Sequence, residues 1–294
     1  MSIYFEQHAH QTNFKSNESW VVLSPIETQI KEKIETIGTP LKDWDIKINY
    51  GIKTGYNEAF IITEEKRKEL IEQDPKSAEI IRPILRGRDI KRYEYDFADL
   101  WLINTHNGIK EKGIMPINIE DYPVIKKYLN QFYSQLEKRA DKGDTLYNLR
   151  NCAYMEDFSN QKIMYPNMTK FLPFYLDNQG FVQNDKSFMI TGKNIAYLTA
   201  FLNSSLFKYC FLDNFPELQG GTRELRKIFF DKISVLQVSE SINLEFEELV
   251  LKVQMFKSKQ FTTKEIEIKI DEKIFDLYSL NTDERKVIGY IEIQ

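Results

Sequence analysis

Residues 194–214 are apolar on nearly every side, and this stretch constrains the fold of the chain more than any other. Because it has no polar face, it predicts a helix that is buried within a domain. Four short segments, "KIMYP", "FYLDN", "GFVQN" and "SFMIT", precede it and are separated by Asn, Gly and Pro. This punctuation is typical of short strands. The centre of the chain is therefore predicted to mix strands with a buried helix.

Helices are predicted on both sides of this centre. Ser24-Pro25-Ile26-Glu27 forms a capping box with proline at the first helical position, which predicts a helix that runs to about Ile37 and ends at Gly38. After residue 242 the pattern changes to two acidic amphipathic helices, at about 243–258 and 263–279. The predicted fold class is α+β, with a mixed or antiparallel sheet, a helical lead-in and a C-terminal helical tail. Its three segments are residues 1–44, 45–236 and 237–294.

Further local patterns give testable expectations. Residues 121–139 have apolar positions at helical spacing, which predicts one amphipathic helix. "AFIIT" resembles a strand, so that residues 51–58 would connect two strands. Thr222 is positioned to cap a short helix whose first turn would contain Arg223.

Composition narrows the class of protein. With 42% hydrophobic and 29% charged residues the chain is typical of a globular protein. It has no apolar run of about 20 residues and no basic-then-apolar start, so we expect a cytoplasmic protein without a membrane partner. Cys152 and Cys210 lie far apart, which predicts reduced core residues. The net charge is −2 over residues 1–44, +2 over 45–235 and −4 over 236–294.

Several enzyme classes lack their motifs here. In "YGIKTGYNEAFII" (50–62), Gly51 and Gly55 are three residues apart and no Gly-Lys-Ser/Thr follows, so the loop is not a P-loop or a dinucleotide fingerprint. His106 is the one histidine beside a predicted element, which leaves no serine triad or metal set. Acidic-x-Lys triplets such as 64–66 and 271–273 lie on predicted solvated helices. An Asn-Pro-Pro-aromatic methyltransferase motif is missing from the sequence.

Basic and amide side chains recur instead on predicted loops of the central segment, where recognition residues usually lie. Arginine forks match both phosphates and guanine edges. Cations at a predicted helix start, as in 220–230, also suggest a nearby anion. The candidate residues are Lys53, Thr54, Asn57, Arg86, Arg88, Lys91, Arg92, Arg150, Asn151, Lys170, Arg223 and Arg226.

Each stretch also has a purely structural interpretation. In "RPILRGRDIKRY" (82–93), Asp89 would pair with one arginine in a surface turn. In "TLYNLRNCAY" (145–154), Arg150 would extend from a strand at the edge of the core. The 220–230 stretch would be a helix end on the surface, and the glycine loop would be a hairpin.

The ordered set of motifs resembles a known family. "GIKTGYNEAFIIT…IIRPILRGRDIKRY", "TLYNLRNCAYMEDFSNQKIMYPN" and "FMITGKNIAYLTAFLNSSLFKYCF" resemble the TaqI-like C-terminal specificity domain, and the tail "KIDEKIFDLYSLNTDERKVIGYIE" resembles the ending of such enzymes. This domain is the target-recognition part of type IIG restriction–modification enzymes and adenine-N6 DNA methyltransferases. The resemblance covers about residues 22–292.

The resemblance implies a module that binds double-stranded DNA in a cleft between its central body and its helical tail. Lys53, Thr54, Lys91, Arg92 and Lys170 would contact phosphates, and Asn57 would reach a base or brace its loop. Arg86, Arg88, Arg150, Asn151 and Arg223 would contact base edges, with arginine suited to guanine and asparagine to adenine. Arg226 belongs to the same surface.

The resemblance also implies partner domains. S-adenosylmethionine and Mg²⁺ would belong to methyltransferase and endonuclease domains, in the same protein or in a separate subunit, and we expect no cofactor in this chain. Two alternatives stay open: a protein-interaction module that docks on a separate methyltransferase subunit, and a divergent Mg²⁺ nuclease.

Overall fold

Two four-stranded sheets organise the chain in the computed structural model, which describes residues 24–170 and 172–291. The helices are α1 (Pro25–Ile37), α2 (Asn57–Phe60), α3 (Glu64–Gln73), α4 (Pro123–Leu129), α5 (Tyr133–Lys138), α6 (Ile195–Leu202), α7 (Ser205–Phe211), α8 (Lys227–Phe230), α9 (Glu240–Ser258), α10 (Lys264–Leu277) and α11 (Thr282–Ile288). The strands are β1 (Thr39–Pro40), β2 (Ile46–Tyr50), β3 (Ile61–Thr63), β4 (Ile81–Leu85), β5 (Ile90–Lys91), β6 (Glu94–Tyr95), β7 (Leu100–Ile103), β8 (Lys162–Pro166), β9 (Met168–Thr169), β10 (Tyr175–Asp177), β11 (Val182–Gln183), β12 (Ser187–Gly192), β13 (Arg223–Glu224) and β14 (Ser234–Val235). The predicted α+β class is confirmed.

The first sheet has the strand order β10-β8-β12-β2 and is antiparallel throughout. Its register places Ile190 of β12 opposite Ile48 of β2 and Ile163 of β8. These three side chains are buried in one apolar cluster with residues of α1, α6, α7, α9 and α10. The helices therefore cover one face of this sheet, while Met164 and Met189 on its other face are buried in separate apolar clusters.

The second sheet has the order β11-β4-β7-β3. Its β11–β4 pair is parallel, whereas β4–β7 and β3–β7 are antiparallel, which makes the sheet mixed. Ile84, Leu102 and Ile62 lie in a second apolar cluster with residues of α3, α4 and α5. The described residues thus form two large cores, one on each sheet, and a smaller cluster that groups Leu85 of β4 with Met164 of β8 and Tyr175 of β10.

The apolar stretch at 194–214 is buried from Ile195 to Phe207, as predicted, but it forms two helices, and Lys208 is exposed. Every residue of α6 is buried. The break falls at Asn203, whose side chain accepts from Phe174 N (3.2 Å) and donates to Phe174 O (2.7 Å). Ser204 then caps α7 through a hydrogen bond from Phe207 N (3.1 Å). Asn203 thus ends helix α6 and satisfies the backbone N–H and carbonyl of Phe174, and Ser204 starts helix α7.

The C-terminal helices belong to the first core. Phe246, Val250, Ile270 and Ile274 are buried in the same cluster as the first sheet. The space between the central body and the helical tail, where the resemblance implied a DNA-binding cleft, is therefore filled by apolar packing. A third helix, α11, follows the two that the sequence pattern predicts.

Polar contacts fasten the tail to the hairpin of β5 and β6. The Arg92 guanidinium pairs with Glu267 and donates to Asn203 O (2.7 Å). Lys257 pairs with Glu94 at 3.1 Å. Asp271 is also buried, and it accepts hydrogen bonds from the Ser205 backbone and hydroxyl. The expectation that the 271–273 triplet lies on a solvated face is therefore wrong for its first carboxylate.

Three local predictions differ from the structure. "AFIIT" begins inside helix α2 and only its second half is a strand. Residues 121–139 form two short helices joined by a 3₁₀ turn at Asn130–Phe132. Arg223 lies in strand β13, and the helix that follows starts only at Lys227. Short apolar segments of this kind are settled by tertiary packing more than by local propensity.

A buried ion pair braces the first sheet. Lys162 of β8 and Asp177 of β10 are both fully enclosed and pair with each other. The Lys162 ammonium also donates to Phe158 O (2.6 Å), and Asp177 accepts from Phe181 N (3.0 Å). Burial lowers the pKa of Lys162. Cys152 and Cys210 are half-buried thiols that pack against the second and the first core, respectively.

In residues 24–170 and 172–291, no helix combines the length and apolarity that a bilayer crossing requires. In the same ranges, no three His, Cys, Asp or Glu side chains converge as metal ligands. The predicted lead-in before Ser24 lies outside the described residues.

Candidate functional site

The two sheets meet at the turn of residues 184–186, and the glycine loop passes directly over it. Ile52 N donates to Gln183 O (2.7 Å), and Asn184 N donates to Leu85 O (3.1 Å). A Cβ on Gly51 would lie 2.1 Å from Asn184 O, so only glycine permits this close approach. The glycine loop therefore has a structural role, because it connects the two sheets.

Asn184 gathers further loops at this junction. Its Oδ1 accepts from Gly87 N (3.2 Å) and Lys186 N (3.2 Å). The Lys186 carbonyl accepts from Asn167 N (2.9 Å), and the Asn167 carbonyl accepts from Leu225 N (2.8 Å). This chain of hydrogen bonds places five loops side by side, and two more, at 104–108 and 149–155, line a cleft with the first of them. We call them the junction loops: residues 50–57, 86–88, 104–108, 149–155, 167–170, 184–186 and 223–226.

Within the first junction loop, Thr54 and Asn57 hold the backbone. The Thr54 hydroxyl donates to Asn57 Oδ1 (2.6 Å) and accepts from Tyr56 N (3.2 Å). Thr54 is only 3% exposed. Gly55 has φ +71°, a conformation that favours glycine. We therefore assign Thr54 a role in shaping the loop in place of the predicted phosphate contact, and Asn57 braces it.

Arg139 fixes this loop from beneath. Its guanidinium donates to the carbonyl of Thr54 and to the carbonyls of Asp141 (3.1 Å), Leu146 (3.1 Å) and Asn148 (2.5 Å). Burial lowers its pKa to about 10. Since its partners are neutral carbonyls, the charge is held by dipoles. Sequence analysis missed this residue because nothing in its local pattern separates it from a surface arginine.

A cleft of about 50 Å³ opens between three junction loops. Lys53 and Arg150 lie at it, and both pair with Asp141, at 2.8 and 3.2 Å. Their side chains are 44% and 50% exposed. The Lys53 ammonium is the main cause that lowers the pKa of Asp141. One carboxylate thus anchors two exposed cations. The residues that line the cleft are Tyr50, Gly51, Ile52, Lys53, Asn104, His106, Asn107, Gly108, Leu149, Arg150, Asn151, Cys152, Tyr154 and Met155.

Aromatic and imidazole groups complete the cleft. The rings of Tyr50 and Tyr154 meet edge to face, with centroids 6.1 Å apart. His106 Nδ1 accepts a hydrogen bond from Gly108 N (3.1 Å). A neutral His106 therefore carries its proton on Nε2. Burial lowers its pKa, which favours this neutral form.

The 82–93 stretch divides its arginines between two uses. The Arg86 fork is taken by Asp89, at 2.8 and 2.7 Å, as the structural interpretation expected. Arg88 is exposed and, among the described residues, its guanidinium has no hydrogen-bond partner or ion pair. Lys91 donates to Arg88 O (2.9 Å) and is also exposed. Of the predicted DNA-binding residues in this stretch, Arg88 and Lys91 are therefore the ones that a ligand can reach.

The remaining predicted residues fall into two groups: Arg92 and Arg223 are held in internal contacts, whereas Arg226 and Lys170 are exposed. Arg92, 18% exposed, holds Glu267, and Arg223, 15% exposed, holds Phe215 O (2.8 Å) and Glu217. We assign both a structural role in place of the predicted DNA contacts. Arg226 is exposed and pairs with Glu224 at 2.8 Å. Lys170 is exposed at the end of its loop.

Sequence reasoning missed several members of the site. Lys186 is exposed on the central turn, although its "QNDK" context is a turn signal that could have been used. Tyr50 and Asn184 look like ordinary strand residues in the sequence. Their importance arises from the pairing of distant segments, which local patterns do not contain.

Comparisons with known proteins agree with this architecture. Residues 82–235, more than half of the chain, match the family described as the TaqI-like C-terminal specificity domain. The type II methyltransferase M.MjaIV of Methanocaldococcus jannaschii is 27% identical over 198 residues, which cover 64% of this chain and 62% of that protein.

Solved structures are similar at lower identity. The type IIL restriction–modification enzyme MmeI, solved in complex with DNA, has a TM-score of 0.58 at 12% identity, over 83% of this chain and 34% of that one. The type IIG restriction endonuclease BpuSI has a TM-score of 0.49 at 14% identity, over 87% of this chain and 34% of that one. The chain thus corresponds to about a third of the length of these enzymes. From the match over residues 82–235, this chain belongs to the family of TaqI-like C-terminal specificity domains.

Proposed function

We propose that this chain is a target-recognition module that binds double-stranded DNA through the junction loops and reads its sequence. The observation that carries the proposal is the arrangement of exposed cations on contiguous loops. Lys53, Arg150, Arg88 and Lys186 lie on loops that are joined through Asn184 and the cleft. A row of cations on loops held by two sheets suits a regular polyanion.

The exposed residues divide by the contact that they can make. Lys53, Lys91, Lys170 and Lys186 are point charges suited to phosphates. Arg88, Arg150 and Asn151 carry planar groups that suit base edges. Arg226 extends the same surface, and its Nε pairs with Glu224.

The carboxylate on Asp141 gives the two cleft cations a fixed geometry without neutralising the surface. Each of its oxygens holds one of the two cations, Oδ2 for Lys53 and Oδ1 for Arg150. Since all three side chains keep some exposure, the pairs contribute at most about 1 kcal/mol each to stability. The pairs therefore fix where the two cations lie, and the carboxylate offsets part of their positive charge.

We further propose that the module acts together with methyltransferase or endonuclease domains, in the same protein or in a separate subunit. The support is that M.MjaIV is a methyltransferase and that MmeI is a restriction–modification enzyme solved with DNA. S-adenosylmethionine and Mg²⁺ would serve those domains.

The test is selection from a random duplex library with the 294-residue chain at low salt, without metal or S-adenosylmethionine. Enrichment of one short motif supports a sequence-reading module. Uniform retention of all duplexes would leave an electrostatic binder that does not read sequence. Absence of retention would contradict the proposal and favour the protein-interaction alternative, whereas cleavage of duplexes on adding Mg²⁺ would favour the nuclease alternative.

A further inference from the structure

The side-chain amide of Asn107 has a fixed orientation beside the cleft. The backbone N–H of Asp144 donates to its Oδ1 at 2.8 Å. A backbone N–H can only donate, so the atom that it meets must be the amide oxygen. Asn107 is buried, and a Cβ on Gly143 would lie 2.3 Å from this oxygen, so the close packing depends on that glycine. The amide nitrogen of Asn107 therefore points the other way.

That nitrogen sets the orientation of Asn151. Asn107 Nδ2 donates to Asp144 Oδ1 (3.1 Å) and to the Oδ1 atom of Asn151. The oxygen of Asn151 is thereby directed toward the buried Asn107. Asn151 itself is exposed, and its Nδ2 has no hydrogen-bond partner within the described residues. The group that Asn151 offers to a ligand is consequently an N–H donor.

The other exposed polar groups at the cleft can also donate, and among them the Tyr50 hydroxyl can accept as well. Lys53 and Arg150 carry only donors, and neutral His106 offers Nε2–H. The carboxylate of Asp141 is already held by the two cations. The Oδ1 atom of Asn104 is an acceptor, but it is enclosed in the floor of the cleft. The accessible rim therefore recognises acceptors.

We infer that Asn151 reads a guanine through its acceptors, and not an adenine. This inference rests on the proposed function, and it reverses the expectation that asparagine pairs with adenine. An adenine contact needs both the donor and the acceptor of the amide, whereas guanine presents two acceptors, O6 and N7, in the major groove. With its oxygen directed at the buried Asn107, Asn151 cannot turn its oxygen and its nitrogen together toward an adenine edge. Arg150, the preceding residue, supplies further donors to the same edge.

The experiment compares selections from a random duplex library with the wild-type chain, N151D and N151A. N151D keeps an oxygen for Asn107 but turns the outward group into an acceptor. At one position of the motif we expect the wild type to prefer guanine. N151D should lose that preference by at least about fivefold and gain cytosine, whose N4 donates. N151A should lose the preference without gaining cytosine, and its thermal unfolding shows whether the fold is kept. N160D, at an exposed asparagine, is the matched control and should leave the motif unchanged.

The outcomes separate the two proposals. An enriched motif in which the altered position specifies adenine, or in which no position changes, would overturn this inference and leave the proposed function standing. No enriched motif with the wild type would overturn the proposed function and this inference with it.

Discussion

The guanidinium carbon of Arg139 lies 4.5 Å from the centre of the Phe60 ring, directly beneath the loop that carries Lys53. Phe60 is fully buried in the second core, so this cation–π contact connects the core to the site. The same guanidinium holds the carbonyl of Thr54. The cleft is thus built on a rigid buried group, which lowers the entropy cost of binding a ligand.

Replacing this group should destabilise the fold. R139M keeps much of the side-chain length and leaves the carbonyls of Thr54, Asp141, Leu146 and Asn148 without their donor. We expect the free energy of unfolding to fall by about 2–4 kcal/mol, measured by urea denaturation. R82M is the control, since Arg82 is exposed and contacts only neighbouring carbonyls. Equal losses in the two variants would contradict the role of Arg139.

Arg86 and Arg88 should separate stability from binding. R86A leaves the buried Asp89 without its bidentate partner and should lower the free energy of unfolding by about 1–3 kcal/mol. R88A breaks no internal contact and should leave unfolding within about 0.5 kcal/mol while it weakens duplex binding. Urea denaturation and fluorescence anisotropy measure the two effects. The assignment would be wrong if R86A impaired binding alone and R88A impaired stability alone.

Removing the negative charge of Asp141 should strengthen binding. D141N leaves Lys53 and Arg150 without their carboxylate, so that both are freer to meet phosphates. We expect the affinity for any duplex to rise by up to about fivefold at low salt. D45N is the matched control, because Asp45 forms a similar exposed pair with Lys193 beyond the far end of strand β12. A weaker affinity of D141N would show that the anchoring by Asp141 matters more than its charge.

The sequence predicts some of these relationships and not others. The capping box at Ser24 predicts helix α1, because its signal is contained in four consecutive residues. Residues 194–214 predict burial but not the break at Asn203, since the partner that holds Asn203 is Phe174, distant in the sequence. Likewise Arg86 and Arg88 look alike in the sequence. Only the fold shows that Asp89 forms a bidentate pair with Arg86. It also shows that Arg92 pairs with Glu267, which is 175 residues away in the sequence.

The tail has its own pH signature. Burial raises the pKa of the Asp271 carboxyl to about 6, above its ordinary 3.8. The folded protein therefore keeps this proton at pH values where the unfolded chain has lost it, so this carboxyl lowers stability as the pH rises from about 4 to about 6. In D271N the asparagine amide does not titrate, so this pH-dependent loss of stability is absent. The free energy of unfolding of D271N, relative to wild type, should increase over that window by at most about 3 kcal/mol. A difference that stays constant between pH 4 and pH 7 would contradict this assignment.

The most direct test of the account is the salt dependence of duplex binding by the double variant K53A/R150A. A matched pair, K193A/K286A, removes the same charge at two other exposed positions, one of them beyond the end of β12 opposite to the turn at 184–186. If the cleft cations neutralise phosphates, the slope of log affinity against log salt should shrink by about 2 in K53A/R150A and stay unchanged in K193A/K286A. Equal slopes for wild type and K53A/R150A would contradict the claim that DNA binds at the junction loops.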